Sequence, residues 1–448
     1  MTIDNSAVYA QTPAQRRSQL AACGCPQDSD HAAPGGLTRR RFLGTTASVA
    51  GLGLLGGLTG PLASTQLAFA DAGATNSDVL VVVSLRGGFD GLNAIVPTGD
   101  ASYLRLRPTI GVPQSVLLPL DSMFGLHPAL SGLKPLYDAG TLAFAHAVGQ
   151  ADPSRSHFEA MEEMERAAPG SALRTGWIDR VIGITGAPTT FSAVAVGGST
   201  APTAFLGPNP ELALRSVDDF TLNGAWNADE RTRWRTALSA LYAGAPATLA
   251  APARATLGAL GTTATLQDAG YTPAGGATYP DTDLGKALRD IARLIKAGIG
   301  LRVAALDCDD WDMHVDMGKA DAGWQQKKLK DVADSLVAFT TDLGAGMADV
   351  TLMTLSEFGR RAEENGSGGA DHGHGNAVML LGGGVAGGKV HGRWPGLADE
   401  QLIDGDLAGT TDYRTLLAEV LEKRMLISAS SVFPQLDAAR LGIAKPRG

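Results

Sequence analysis

The sequence predicts an α/β protein: a large, mostly parallel central sheet flanked by helices, in one domain that carries a helical insertion. Two observations lead there. From about residue 71 onward, short apolar runs alternate with longer amphipathic stretches, the pattern of strand–helix repeats. The apolar runs, such as "VLVVVSL" and "VTLMTL", are also continuous rather than alternating, as in strands covered on both faces.

The elements follow in order. Ser77–Leu85 is a β-branched run and Thr141–Val148 a second apolar run, both read as strands. "HFEAMEEMERA" (residues 157–167) places Phe158, Met161 and Met164 on one helical face with acids on the other. "FSAVAVGG" reads as a strand. Residues from about 227 to 300 are alanine-rich and helical, and form the expected insertion. "LRVAALD", "DVTLMTL" and "AVMLLGG" then give three strands, separated or followed by the helices "KKLKDVADSLVAFTTDL" and "YRTLLAEVLEKRM".

Residues 1–70 have a different character. "TRRRFLG" is followed by a weakly apolar, glycine-rich run that ends on Ala68-Phe69-Ala70. A charged start, an apolar middle and a small-x-small end make an export leader, cleaved after Ala70, and the paired arginines mark the twin-arginine route. "GLGLLG" within it spells a dinucleotide fingerprint but follows no strand, so it fails that motif's context. Removing the leader takes away five arginines and three aspartates and leaves a net charge of −11 in place of −9. It also removes Cys23 and Cys25, so Cys308 stands alone and no internal disulfide is possible. That suits a chain folded in the reducing cytoplasm before export. The expected partner is the twin-arginine translocation machinery, and the expected location is the periplasm or outside the cell. The acidic balance and the lack of a basic motif exclude a general nucleic-acid binder. No stretch of the mature chain is long and apolar enough to span a bilayer.

In an open α/β sheet, ligands bind beyond the carboxyl ends of the strands. The residues there are informative. "RGGFDGLN" supplies Asp90, "DCDDWDMH" supplies Asp310, Asp312 and His314, "SEFGR" supplies Glu357 and Arg360, and "DHGH" supplies Asp371, His372 and His374. Carboxylates with imidazoles are the donors that zinc and manganese accept. So many acids in one cleft repel one another unless a cation offsets them. Singly, each has an ordinary reading: Asp90 as a turn former, the histidines as exposed loop residues. After the second strand, "ADPSRSHFEAMEE" places Ser154, Arg155 and Ser156 at a helix start, where Ser156 is a candidate nucleophile and also forms an S-x-x-E capping box with Glu159.

The motifs "LRGGFDGLN", "RSHFEAMEEME", "GWIDR", "WDMH", "SEFGRRAEEN", "DHGHGNAVMLLGGG" and "GRWPGL" resemble the twin-arginine-exported bacterial family catalogued as domain of unknown function 1501. That family in turn resembles the alkaline phosphatase and sulfatase superfamily. The resemblance implies one or two divalent metals (zinc, manganese or calcium) over the sheet. It implies metal ligands at Asp90, Asp312, His314, Glu357 and His372 and a nucleophile at Ser156. From the residues themselves, Asp371 beside His372 is a further candidate ligand, and Arg155 or Arg360 a candidate clamp on ester oxygens. The chain departs from the superfamily in three places. Phe358 follows Glu357 where an Asp-His pair is usual. Asp310 rather than Asp312 has the usual separation from His314. Ala151 stands where sulfatases carry the cysteine that becomes formylglycine, which excludes that chemistry there. Two functions remain open from sequence: an exported metal-dependent hydrolase of phosphate or sulfate esters, acting on a small molecule or a polymer, and a non-catalytic envelope or export-associated protein that keeps the scaffold.

Overall fold

Strand β1 (Val79–Leu85) is the centre of the architecture. Its alternate residues serve two cores: Val81, Val83 and Leu85 pack on one side of the sheet, Leu80 and Val82 on the other. Each fully buried side chain of this kind contributes about 1.5–3 kcal/mol. This is why the run is continuous rather than alternating. The computed structural model describes residues 78–448 apart from 152, 153, 187, 226, 438 and 448. The export leader expected at 1–70 lies outside the described residues.

Along the chain, β2 (Leu142–Gly149) leads to α1 (His157–Arg166) and α2 (Trp177–Ile184). Then come β3 (Ala193–Val196) and β4 (Leu212–Leu214), followed by α3 (Ala228–Ala243), α4 (Ala247–Ala269) and α5 (Asp283–Lys296). The last part comprises β5 (Val303–Cys308), α6 (Trp324–Leu343), β6 (Val350–Leu355), β7 (Asn376–Gly382), β8 (Val390–His391), β9 (Thr411–Asp412) and α7 (Tyr413–Arg424). The sheet order is β8-β2-β7-β6-β1-β5-β3-β4, with β9 also paired to β2. β1 is parallel to both β5 and β6, with Leu80 opposite Val303 and Thr351. Within this sheet only β7 runs antiparallel, against β6 on one side and β2 on the other; a small separate sheet of Ile95–Val96, Leu118–Pro119 and Gly125–Leu126 is antiparallel throughout. The expected α/β class and mostly parallel sheet are thus what the structure shows.

Helices α5 and α6 cover one face through Leu284, Leu288 and Ile291 and through Leu329, Val332 and Leu336. Helices α2 and α7 cover the other through Trp177, Ile178 and Val181 and through Leu416, Leu417 and Leu421. The expected insertion at 227–300 therefore divides. α3 buries no residue, whereas α5 belongs to the covering layer. α5 starts where the Thr282 hydroxyl caps the Gly285 N–H, and it ends with Arg293 and Lys296 in its last turn, where cations suit the helix dipole. No helix among the described residues is long and apolar enough to cross a membrane.

Candidate metal centre

With one strand reversed, the carboxyl ends of the parallel strands and the amino end of β7 share an edge. The loops at that edge bring His157 (after β2), Asp312 and His314 (after β5), Glu357 (after β6) and Asp371 and His372 (before β7) together. One ligand atom from each of His157, Asp312 and His372 lies within 4.8 Å of the others. His314 joins them: its Nε2 is 3.0 Å from both Asp312 Oδ1 and His372 Nε2. His372 Nε2 is likewise 3.0 Å from Asp312 Oδ1.

Each imidazole is held at its other nitrogen. His157 Nδ1 is 2.8 Å from Glu357 Oε1, His314 Nδ1 is 2.9 Å from Asp371 Oδ1, and His372 Nδ1 is 2.9 Å from the Arg155 carbonyl oxygen. A carboxylate and a carbonyl only accept, so each ring that keeps this bond while neutral carries its proton on Nδ1 and leaves Nε2 as a lone pair. Their three Nε2 lone pairs then face the Asp312 carboxylate. His157 Nε2 is buried with no hydrogen-bond partner and lies 3.6 Å from Asp312 Oδ2. Lone pairs aimed at one another repel unless a proton or a cation sits between them. Tetrahedral zinc with bonds of 2.0–2.1 Å sets its ligand atoms roughly 3.3–3.4 Å apart, close to the separations here. Carboxylate–histidine pairs behind the donors are the usual support of such a site. The residues fit a divalent cation.

The rest of the edge fixes these groups. Arg360 is fully buried and donates to the carbonyls of Gly87, Gly88, Trp311 and Ala370, and to Asp312 Oδ1 at 2.8 Å. Burial alone raises the Asp312 pKa. The hydrogen bond and charge of Arg360, with the His372 and His314 rings beside it, outweigh burial, and the carboxyl is held at about 2. Gly87, at φ +111°, donates its N–H to Glu357 Oε1 at 2.8 Å, and a Cβ there would sit 2.6 Å from the Asp312 nitrogen. Only glycine allows that approach. Phe358, buried, sets its ring 4.8 Å from that of His157 and 4.7 Å from that of His372. The residue that follows Glu357 thus supports two of the rings.

Several expected residues have other partners. Asp90 is not brought to the cluster: it caps a one-turn helix at Gly91–Ala94, and both its oxygens accept from Arg107 Nη1, at 2.7 and 3.0 Å, with the Arg107 side chain fully buried. Glu357 and Asp371 stand behind histidines rather than among the Nε2 atoms. Arg360 spends its donors inside the protein and is no clamp for a substrate. Arg155 is tied to Asp406 Oδ2 at 2.6 Å, and it is its carbonyl that meets the site. Ser156 precedes α1 but its side chain makes no cap; Ser154 accepts from the Ser156 N–H and donates to Glu159 instead. The capping box expected of Ser156 is therefore not formed: Ser156 is the N-cap residue, but its side chain caps no N–H of α1. Asp310 takes a left-handed φ of 67°, and its carbonyl accepts from the Trp324 indole. His374 is buried against the Gln150 carbonyl. Sequence reasoning missed His157, taken as the first residue of a helix. Its place beside Arg155 and Ser156, at the end of a strand-following loop, was the signal.

Beside the cluster lies a cleft of about 540 Å³, lined by His157, Asp312 and Glu357 together with Arg86, Gly87, Phe158, Met161, Glu162, Glu165 and Thr203. Arg86 pairs with Glu165 and Asp307, each at 2.7 Å.

The molecule is thus an α/β protein with a three-histidine, one-aspartate cluster at the carboxyl edge of its sheet. Residues 262–432 match the family described as "Protein of unknown function (DUF1501)", as the motifs within that stretch led one to expect; Asp90 and His157 lie outside it. No curated protein matches. Among solved structures the chain is similar to the PsFucS1 sulfatase from Pseudoalteromonas sp., at 11% identity and TM-score 0.33, over 82% of this chain and 73% of that one. It is also similar to the PH0037 protein from Pyrococcus horikoshii (11%, 0.29, over 81% and 99%) and to the phosphonate monoester hydrolase of Agrobacterium radiobacter (11%, 0.28, over 75% and 76%). At these scores the likenesses carry no argument about activity, and the functional reading rests on the geometry of the site.

Proposed function

We propose that the protein is an exported metal-dependent hydrolase of phosphate or sulfate esters. The observation that carries this reading is the convergence of three Nε2 lone pairs and the Asp312 carboxylate at the wall of an open cleft. His157, Asp312, His314 and His372 hold the cation. Three imidazoles and one carboxylate favour zinc over calcium, which prefers an all-oxygen shell. A bound divalent cation supplies Lewis acidity toward an ester oxygen and toward water. Glu357, Asp371 and the Arg155 carbonyl keep the imidazoles in the ligating tautomer. Arg360 holds Asp312 ionised and aimed. Arg86 brings the guanidinium of the cleft toward an ester oxygen, and Ser156, unused as a cap, is the candidate nucleophile. The twin-arginine leader delivers the folded chain across the membrane.

The test has two parts. Elemental analysis of protein purified without chelators should give near one equivalent of zinc or a similar divalent metal, and a His314→Ala, His372→Ala double variant should lose it. Hydrolysis of 4-nitrophenyl phosphate or sulfate should disappear on chelation and return with metal, and Ser156→Ala tells a serine nucleophile from water. A metal-free protein that takes up none of these ions would sink the reading. A second reading, a non-catalytic protein with a structural metal, is favoured by the internal engagement of Arg155 and Arg360. Bound metal with no hydrolysis of either ester would establish it.

A further inference from the structure

One face of α1 lines the cleft: Phe158, Met161, Glu162 and Glu165 stand at i, i+3, i+4 and i+7, the spacing that keeps side chains on a single stripe. Phe158 immediately follows the ligand His157 and is 90% exposed, whereas eight other phenylalanines are buried. An open aromatic ring at this place makes no contribution to either core. The charges around it are one-sided. Glu162, Glu165, Asp312 and Glu357 line the cleft against the guanidinium of Arg86, which already faces Glu165 and Asp307.

Resting on the hydrolase reading, we infer that the cleft takes an ester whose leaving group is aromatic and uncharged or cationic, stacked on Phe158, and that it disfavours leaving groups with further negative charge. The head group is drawn to the metal set. The ring lies along the Phe158–Met161 side, where it removes apolar surface from water and gains the geometry-dependent attraction of paired rings. A second anionic group would face Glu162 and Glu165 and be repelled.

Three non-hydrolysable phosphonates separate the outcomes when titrated calorimetrically into zinc-loaded protein. Benzylphosphonate should bind about tenfold tighter than methylphosphonate, and 3-phosphonopropionate, with a carboxylate in place of the ring, should bind more weakly than either. Phe158→Ala should abolish the preference for the ring while keeping its zinc content and circular dichroism, and Phe158→Trp should keep the preference. Equal binding of benzyl- and methylphosphonate, a preference that survives Phe158→Ala, or tightest binding of 3-phosphonopropionate would each overturn the inference while leaving the hydrolase reading standing. Failure of the protein to hold zinc would remove the hydrolase reading, and this inference with it.

Discussion

Glu357 is an acidic neighbour of the cluster whose effect is exerted through an imidazole. Glu357→Gln keeps the shape but replaces an acceptor-only group with one that can also donate toward His157 Nδ1. Metal affinity should fall by about 10–100-fold, read by competition with a chromogenic chelator, and Asp371→Asn should act likewise through His314. Asp90 belongs to a different category. Removing its carboxylate leaves the Arg107 guanidinium, fully buried, without its counter-charge. Asp90→Ala should cost about 3–5 kcal/mol in denaturant melts yet leave metal stoichiometry intact in the protein that remains folded. The sequence made Asp90, Glu357 and Asp371 look alike, because all three are acids at strand-end loops. What separates a ligand from its support, or from an ion pair elsewhere, is which atom faces which. That depends on ring orientation, and residue type does not carry it. His157 shows the converse: a histidine at a helix start looks like part of the helix until the neighbouring loops are in place.

At the scale of elements, the long strands were legible because burial on both faces demands uninterrupted apolar runs. The direction of β7 was not, since a strand covered on both faces has the same composition whichever way it runs. The two- and three-residue strands β4, β8 and β9 were also hidden; their pairing comes from neighbours rather than from their own residues. The apolar face of α5 was legible, with Leu284, Leu288, Ile291, Leu294 and Ile295 at helical spacing, but that spacing does not say that the face packs on the central sheet rather than within an insertion. The loop around Asp406 links two elements of the site. Its carboxylate, 3% exposed, accepts from Arg155, whose carbonyl orients His372, and lies 3.5 Å from Arg361, the neighbour of Arg360. Asp406→Asn should weaken metal binding several-fold and slow its uptake. Restoration of near-normal affinity by Asp406→Glu would tie the effect to the charge that holds Arg155. Equal metal affinity in Asp406→Asn and the parent would show that the loop is held by other contacts.

For the whole molecule, carboxylates held by hydrogen bonds set the acid limit of stability. Burial opposes ionisation of Asp342, but donors from Lys296, Tyr271, the Ala274 N–H and Tyr279 outweigh it and keep its pKa below the ordinary 3.8. Glu419 is lowered in the same way by Lys423 and the backbone near Ala444, against the effect of its burial. In both cases the unfolded chain binds protons more readily than the folded one. The stabilisation is therefore complete above the unfolded-state values and lost as pH falls through the lower folded-state ones. Metal-free protein should lose melting temperature steeply below about pH 4, with the loss blunted in Asp342→Asn. The order of the strands carries a consequence for biosynthesis. β7 lies between β2 and β6, yet it leaves the ribosome after both. Until residue 382 has been made, the sheet exists as two separate pieces whose facing edges are bare, and bare edges invite pairing between chains. A nascent chain halted before Asn376 should therefore aggregate or recruit chaperones, while one extended through α7 should be protease-resistant. The sheet is therefore closed in a single event, when β7 joins its two pieces.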